Sequence, residues 1–486
     1  LGFKKSPVVT QASSLRRPKR KTPLRANWQR ALKSLGALTC IILLVEIFPN
    51  SRTYSFAQGS PFVLPVVKRD SLLNGLQLIT IEQPKTGSVS AHLRINSGAL
   101  FDLSGKGGLA DLTAGMLLRG GGGLNAKAVS DTVEQLSLTV TVTAGWDSTD
   151  IVINGPADSL DSIFDLLSKL LIAPSFDQKE LESLKAARGA EMTKDQQDDR
   201  LIVRHKALET TYGSYPFGRP ARGTSESIGK IARQDLQYFQ SRFYIANNST
   251  LIVVGDASAE QVTRLGRSKL GAWRKGEKVP PTFRPPEAQT TRRVFILNRD
   301  EQQPAQAAIS QVGLSRRADD YFAAIVMADV LATQSSKAAS MHAATKVETG
   351  FEARLLPGPL VVSIRSSATD LANAVDSVLD VMARMQSAPL ASELVESAKT
   401  RLIAAMSERL NTNEGAAEVI LDIETYGLGR DYLVRYADRI NAITPADVEA
   451  AARTYLKPQA VTIVIAGPAS RFETLIKKIG AVAVLK

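Results

Sequence analysis

The sequence predicts an α/β chain made of two copies of one domain, and three observations carry that expectation. Residues 228–258 and 440–470 align without a gap at an offset of 212, sharing Ile228/Ile440, Ile231/Ile443, Asp235/Asp447, Thr250/Thr462, Gly255/Gly467, Ala257/Ala469 and Ser258/Ser470. Tyr212-Gly213 and Tyr426-Gly427 add a match at an offset of 214. Between the copies, residues 275–291 (KGEKVPPTFRPPEAQTT) hold four prolines and few apolar residues, the composition of an extended linker. A chain of 486 residues exceeds one ordinary core, so domains at 64–274 and 292–486 are expected to follow a leader at 1–57.

In the first copy, Asn74-Gly75 predicts a turn and 76–81 a strand, and 89–95 alternates as a second strand carrying His92. Leu109, Leu112, Met116 and Leu117 form the apolar stripe of a short buried helix inside residues 107–123, which close on four consecutive glycines. Strands at 138–143 and 150–154 flank a Gly145-Trp146-Asp147 turn, and 160–171 is an amphipathic helix. Residues 177–211, rich in Lys, Glu, Ala and Leu, give one or two long helices; a helix at 233–243 and a strand at 250–254 close the copy. In the second copy, strands are expected at 294–297, 307–312, 359–365 and 462–466, with helices at 321–331, 368–385 and 392–410.

The net charge of +12 points toward nucleic acid until it is located. Residues 1–57 hold 11 Lys/Arg against Glu46, which leaves 49 basic and 47 acidic residues in the body. A nearly neutral body gives no case for binding DNA or RNA. The basic segment, the apolar run at 35–45, Pro49 and Ser55-Phe56-Ala57 have the layout of a secretory signal cleaved after Ala57. That run is short of the ~20 residues a membrane span needs. A periplasmic or secreted protein is expected, with an inner-membrane anchor as the alternative. The single cysteine, Cys40, lies in the leader, so disulfide and thiol chemistry are not expected of the mature chain.

The words around the central helix resemble the M16 (insulinase-like, pitrilysin-like) zinc peptidases, whose motif reads Gly-Leu-Ala-His-x-x-Glu-His-Met-Leu-x-(Lys/Arg)-Gly. Gly108, Leu109, Ala110, Met116, Leu117, Arg119 and Gly120 match it. At the family's two zinc histidines and its general-base Glu stand Asp111, Gly115 and Ala114. Such a site needs two imidazoles one turn apart, a third anionic ligand and a carboxylate base for the bound water. Ala114 and Gly115 offer none of these atoms. The family's third ligand corresponds to Glu191, 76 residues beyond Gly115, whose bland reading is a solvated carboxylate on a helix face. Asp111 with Glu191 as an improvised metal pair would suit Mg²⁺ or Ca²⁺ better than zinc. The resemblance also implies that each domain is a mainly antiparallel sheet packed with helices. Tyr212-Gly213 with Tyr215-Pro216-Phe217-Gly218 is similar to the family's Tyr-Gly-x-x-Pro-Tyr-Gly turn.

In the two-domain members an Arg and a Tyr of the second domain bind substrate. The matching stretch, 340–353 anchored on Gly350, puts Ser340 and Lys346 or its neighbours at the Arg positions and Ala353 at the Tyr. Lys346 or Arg354 would then be left to hold a peptide carbonyl or carboxylate; His342 in this stretch reads as structural. The resemblance places His92 on an edge beside the substrate, although a lone strand histidine is ordinarily packed or at the surface. The glycine run lacks the Gly-Lys-Ser/Thr ending of a phosphate loop and follows a helix, which leaves a mobile or tight helix exit as its reading. The resemblance adds a peptide-sensing loop as the functional alternative, since glycine-rich segments serve so in non-catalytic M16 subunits, although this one is placed differently.

These resemblances imply a non-catalytic M16 homologue. Its expected partner is an active M16 peptidase subunit that carries the zinc, or a second copy of itself, with peptides in the chamber between them and no cofactor of its own. A second class is a stand-alone scaffold or peptide-binding module, similar to the M16-like core subunits of respiratory complexes. A peptidase with a displaced site would need ligands the sequence does not offer.

Overall fold

The computed structural model describes residues 62–300, 304–341, 345–472 and 482–485; the leader with Cys40 and Ala57, and His342, lie outside the described residues. In the first half the strands are β1 Val67–Ser71, β2 Gln77–Glu82, β3 Ser88–Ile95, the short pair β4 Gly120–Gly121 and β5 Leu124–Asn125, β6 Thr139–Ala144, β7 Thr149–Pro156 and β8 Ser249–Gly255. Its helices are α1 Leu109–Leu117, α2 Ala126–Gln135, α3 Leu160–Ile172, α4 Gln178–Asp195, α5 Asp199–Tyr212, α6 Ser225–Gly229, α7 Arg233–Phe243 and α8 Ala259–Leu265. The second half holds β9 Arg293–Asn298, β10 Ala305–Val312, β11 Lys346–Phe351, β12 Pro359–Ser366, β13 Thr462–Gly467 and β14 Val482–Leu485. Around them lie α9 Tyr321–Ala339, α10 Leu371–Ser387, α11 Ser392–Leu410, α12 Asn413–Tyr426, α13 Tyr432–Asn441 and α14 Pro445–Tyr455.

The two sheets are built alike. The first runs β1-β2-β8-β3-β7-β6 and the second β14-β9-β13-β10-β12-β11. In both, one inner pair is parallel (β2 with β8, β9 with β13) and the next three are antiparallel. They differ at the outer edge, where β1 pairs antiparallel with β2 but β14 pairs parallel with β9. Both ends of α14 lie 212 residues beyond those of α7, so the sequence repeat is a structural one.

Each sheet buries one face under its own helices. In the first half Leu93, Ile95, Leu109, Leu112, Phe164 and Phe239 form the core, and in the second Ile296, Val326, Met327, Leu331, Val375 and Val378 do. Full burial of such a side chain is worth about 1.5–3 kcal/mol. The other face is covered by a helix from the opposite half. Ala417, Ile420 and Leu421 of α12 pack on Ile79, Ile81, Ile252 and Val254 of the first sheet. Val203 and Ala207 of α5 pack on Ala308, Val361, Val464 and Ala466 of the second. Burial on both faces explains why β8 is an unbroken buried run with no alternation.

The exchange ends in matched contacts. The Tyr212 hydroxyl at the end of α5 donates to Pro357 O in the β11–β12 loop, at 3.2 Å. The Tyr426 hydroxyl at the end of α12 donates to Asp147 Oδ2 in the β6–β7 loop, at 2.8 Å. Each helix thus locks onto the equivalent hairpin of the other half.

The glycine run is the tight exit rather than the flexible one. Gly120, Gly122 and Gly123 have φ of +130°, +58° and +87°, and a Cβ on Gly121 would lie 2.6 Å from Lys169 O. The run is a tight β4–β5 turn held against α3. It delivers Asn125, whose side chain accepts from Ala128 N at 2.9 Å and starts α2, a helix not expected from the sequence.

Candidate functional site

Helix α1 is fixed from its first turn. Gly108 has φ +92°, and a Cβ there would lie 2.3 Å from Arg222 O, so only glycine fits. Asp102 accepts from Gly108 N and Ala110 N, both at 2.8 Å, and from Arg219 Nη1 at 3.0 Å. It caps the positive helix end from upstream in the chain. Burial pushes the Asp102 carboxyl up to about 6 in spite of these donors. Beyond the cap every α1 residue except Gly115 is buried.

The face of α1 carrying Asp111 and Gly115 meets α4. Leu184, Arg188 and Glu191 occupy one face of α4, at i, i+4 and i+7. A Cβ on Gly115 would stand 3.0 Å from Leu184 Cδ2, so the missing side chain is replaced by a leucine packed into its place. Arg188 bridges the two acids. Its Nε donates to Asp111 Oδ2 at 2.7 Å and Nη2 to Oδ1 at 3.3 Å, while Nη1 donates to Glu191 Oε2 at 3.0 Å and Oε1 at 3.2 Å. Arg222 Nη1 adds a contact to Glu191 Oε2 at 3.5 Å. Burial pushes the Asp111 carboxyl upward, and the charge of Arg188 opposes the push.

Glu191 therefore is neither a free solvated carboxylate nor half of an improvised metal pair. A guanidinium lies between it and Asp111 and takes both acids into ion pairs. This donor set does not fit zinc: it has no imidazole, its carboxylates are engaged by Arg188, and Ala114 offers no base. Among the described residues no group of three or more His, Cys, Asp or Glu is placed to hold a metal ion.

Two family models cover most of the body of the chain. Residues 77–225 match the insulinase (peptidase family M16) model, and residues 230–402 match the peptidase M16 inactive domain model. The chain belongs to the M16 peptidase family. It is 20% identical over 207 residues to an uncharacterized zinc protease of Rickettsia felis, 43% of this chain and 50% of that one. It is 25% identical over 173 residues to the Helicobacter pylori protein called non-peptidase homolog YmxG, 36% of this chain and 40% of that one. The mitochondrial-processing peptidase subunit beta of Lentinula edodes is 22% identical over 422 residues, 81% of this chain and 88% of that one. The chain thus spans about half the length of several curated relatives it matches. Among solved structures, a Helicobacter pylori protease superposes with a TM-score of 0.76 at 16% identity, over 83% of this chain and 100% of that one. A peptidase M16 inactive domain from Pseudomonas fluorescens does so with a TM-score of 0.74 at 20% identity, over 83% and 98%.

Within this M16 fold the other expected site residues fall elsewhere. His92 is not on an edge, because β3 lies between β8 and β7 and the edges of its sheet are β1 and β6. Its ring is buried with Nε2 3.1 Å from Asp150 Oδ1, and Nδ1 has no partner among the described residues. Arg94, two residues on, donates from Nε to Asp150 Oδ1 at 2.6 Å and from Nη1 to Asp422 Oδ1 of α12 at 2.7 Å. His92 thus belongs to the joint between the halves. Arg354 is not free for a carboxylate either, since its Nη2 donates to Glu352 Oε2 at 2.8 Å and Glu352 also receives Arg204 of α5. Lys346 is exposed at the start of the edge strand β11.

Two cavities open beside some of the site residues, though neither is lined by His92 or Lys346. One of about 850 Å³ opens beside Arg188 and Glu191, with Met192, Leu201, Ile202 and Arg222 in its walls. Another of about 590 Å³ lies between the halves and holds Arg94, Asp150, Arg354 and Tyr426. Sequence reading missed Arg188 and Arg222. The available signal was that Arg188 stands three residues before Glu191, on the helix face expected to carry a metal ligand.

Proposed function

We propose that this M16 homologue is the non-catalytic subunit of a periplasmic heteromeric zinc peptidase, paired with an active M16 subunit and supplying part of the peptide-binding chamber. The observation that carries the reading is the Asp111–Arg188–Glu191 bridge. Where hydrolysis needs a Lewis acid and a base, this chain has a fixed guanidinium and the methyl of Ala114, so zinc and bond cleavage fall to the partner. The 850 Å³ cavity beside the bridge, with its largely apolar walls, supports a role in holding peptide side chains. The relatives called a non-peptidase homolog and a processing-peptidase subunit are consistent with both parts of the reading. The periplasmic part rests on the leader in residues 1–57.

A stable pairing should bury on the order of 1,200 Å² or more. Light scattering of the chain co-expressed with an intact M16 subunit should show a complex, and the partner's turnover of a quenched peptide should rise when this chain is added. N-terminal sequencing of the secreted chain should begin at Gln58. A chain that stays monomeric beside that partner and leaves turnover unchanged would replace this reading with the scaffold one. Recovery of the full leader in membranes would replace the periplasmic part with the anchored one.

A further inference from the structure

Behind the start of α9 lies a cavity of about 840 Å³ that plays no part in the former metal site. Its charged lining is Arg316, Arg317, Arg439 and a single acid, Asp319. Arginines in such settings ordinarily pair with carboxylates, but these three are held in other ways. The Arg316 guanidinium carbon stands 3.8 Å from the centre of the Tyr321 ring and 5.1 Å from that of Tyr432, and Nη2 donates to the Tyr432 hydroxyl at 2.5 Å. Arg317 donates from Nε to Tyr426 O at 2.8 Å and from Nη2 to Thr425 O at 3.3 Å, carbonyls at the negative end of α12. Arg439 lies 5.5 Å from the centre of the Phe322 ring. Among the described residues none of the three makes an ion pair with an acid, whereas nearby Arg401, Arg409 and Arg435 each do.

Aromatic faces and carbonyls orient a guanidinium without cancelling its charge. The cavity therefore keeps a formal charge of +2, three arginines less Asp319. A carboxylate would neutralise half of it; a phosphate monoester, at about −1.5 to −2 near neutral pH, neutralises nearly all. Guanidinium forks match phosphate oxygens in pairs. The volume exceeds what a bare phosphate fills, and Leu428, Ala442 and Ile443 give the remaining wall an apolar character. We propose that this cavity binds a small organic phosphate monoester, with its phosphate among Arg316, Arg317 and Arg439 and its carbon body against the apolar wall. The site is independent of the peptidase-subunit reading.

Phenyl phosphate is a suitable probe, titrated calorimetrically into the whole chain beside benzoate and inorganic phosphate. Saturable binding should appear below about 10 mM, at least about tenfold tighter than for either control, and should weaken with added salt. Arg439→Gln alters an exposed side chain and should lower affinity about tenfold or more without moving the thermal midpoint. Arg316→Gln should abolish binding. No saturation, equal affinity for benzoate, or unchanged affinity in Arg439→Gln would overturn the site. Equal affinity for inorganic phosphate would overturn the organic ester as its ligand.

Discussion

Arg188 shows how one side chain can take over the electrostatic work of a metal. A carboxylate in the place of a zinc histidine is a buried charge, and Asp111 is only 6% exposed. Left alone it would carry a heavy desolvation cost. Arg188 offsets this with a two-point contact and uses its remaining nitrogen for Glu191. Leu184 meanwhile fills the space vacated at Gly115. Restoring the motif by Asp111→His, Ala114→Glu and Gly115→His should therefore not restore zinc, because a guanidinium and an isobutyl group stand in the way. Adding Leu184→Ala and Arg188→Ala should clear the space and bring elemental analysis to about one zinc per chain, with Glu191 as the third ligand. Stoichiometric zinc in the threefold variant would show that Arg188 and Leu184 do not block the site. Its absence from a folded fivefold variant would remove Glu191 as a ligand.

The elements divide by how local their causes are. Helix α1 was legible because its apolar stripe, the glycine before it and the glycines after it are contiguous, and α7 and α11 end where their patterns end. Helix α2 was not, because the glycine run read as an exit when it is a turn that feeds the Asn125 cap. The buried faces of α5 and α12 were also hidden. On α5 the face is a few small or aliphatic residues of a largely polar helix. Helix α12 is instead buried on two sides, Val419 and Ile423 in its own core and Ala417, Ile420 and Leu421 on the opposite sheet. In both, what covers the exchanged face comes from the opposite half. Strand β3 shows the consequence for the site: His92 is the packed strand histidine its isolation suggests, not the substrate-side edge residue the resemblance implies, and it serves the α12 joint. There, burial pushes the Asp150 carboxyl up, but the His92 hydrogen bond and the Arg94 charge outweigh it and hold the group below its ordinary range. A lowered carboxyl stabilises the fold fully above the unfolded value of about 3.9, and the contribution is lost as pH falls through the folded value. Asp150→Asn should cost about 1–3 kcal/mol near pH 7. In urea titrations its gap from wild type should narrow as pH drops below about 4. A gap unchanged down to about pH 2 would separate Asp150 from the acid response.

At the scale of the molecule, the repeat announced duplication but not exchange. An offset of 212 records that two copies share a plan, whereas covering each sheet with the other copy's helix is a long-range arrangement that leaves no local periodicity. The linker at 275–291 then joins two halves already bound by other means. Apart from the two packed helix faces, Arg94–Asp422 at 2.7 Å, Arg69–Glu424 at 3.2 Å, Gln83–Asn413 at 2.8 Å and Arg204–Glu352 tie them together, beside the Tyr212 and Tyr426 contacts. Two domains joined only by a tether would separate once it was cut, since ordinary inter-domain surfaces are small and polar. Here separation would strip both sheets of an apolar cover, exposing Ile252, Val254, Val361 and Val464 to water. A protease site inserted at 280–288 and cleaved under native conditions should give two fragments that elute together by size exclusion. They should part only at the urea concentration that also removes the helical circular dichroism. Fragments that separate in buffer while each keeps its secondary structure would show that the exchanged helices do not hold the halves together.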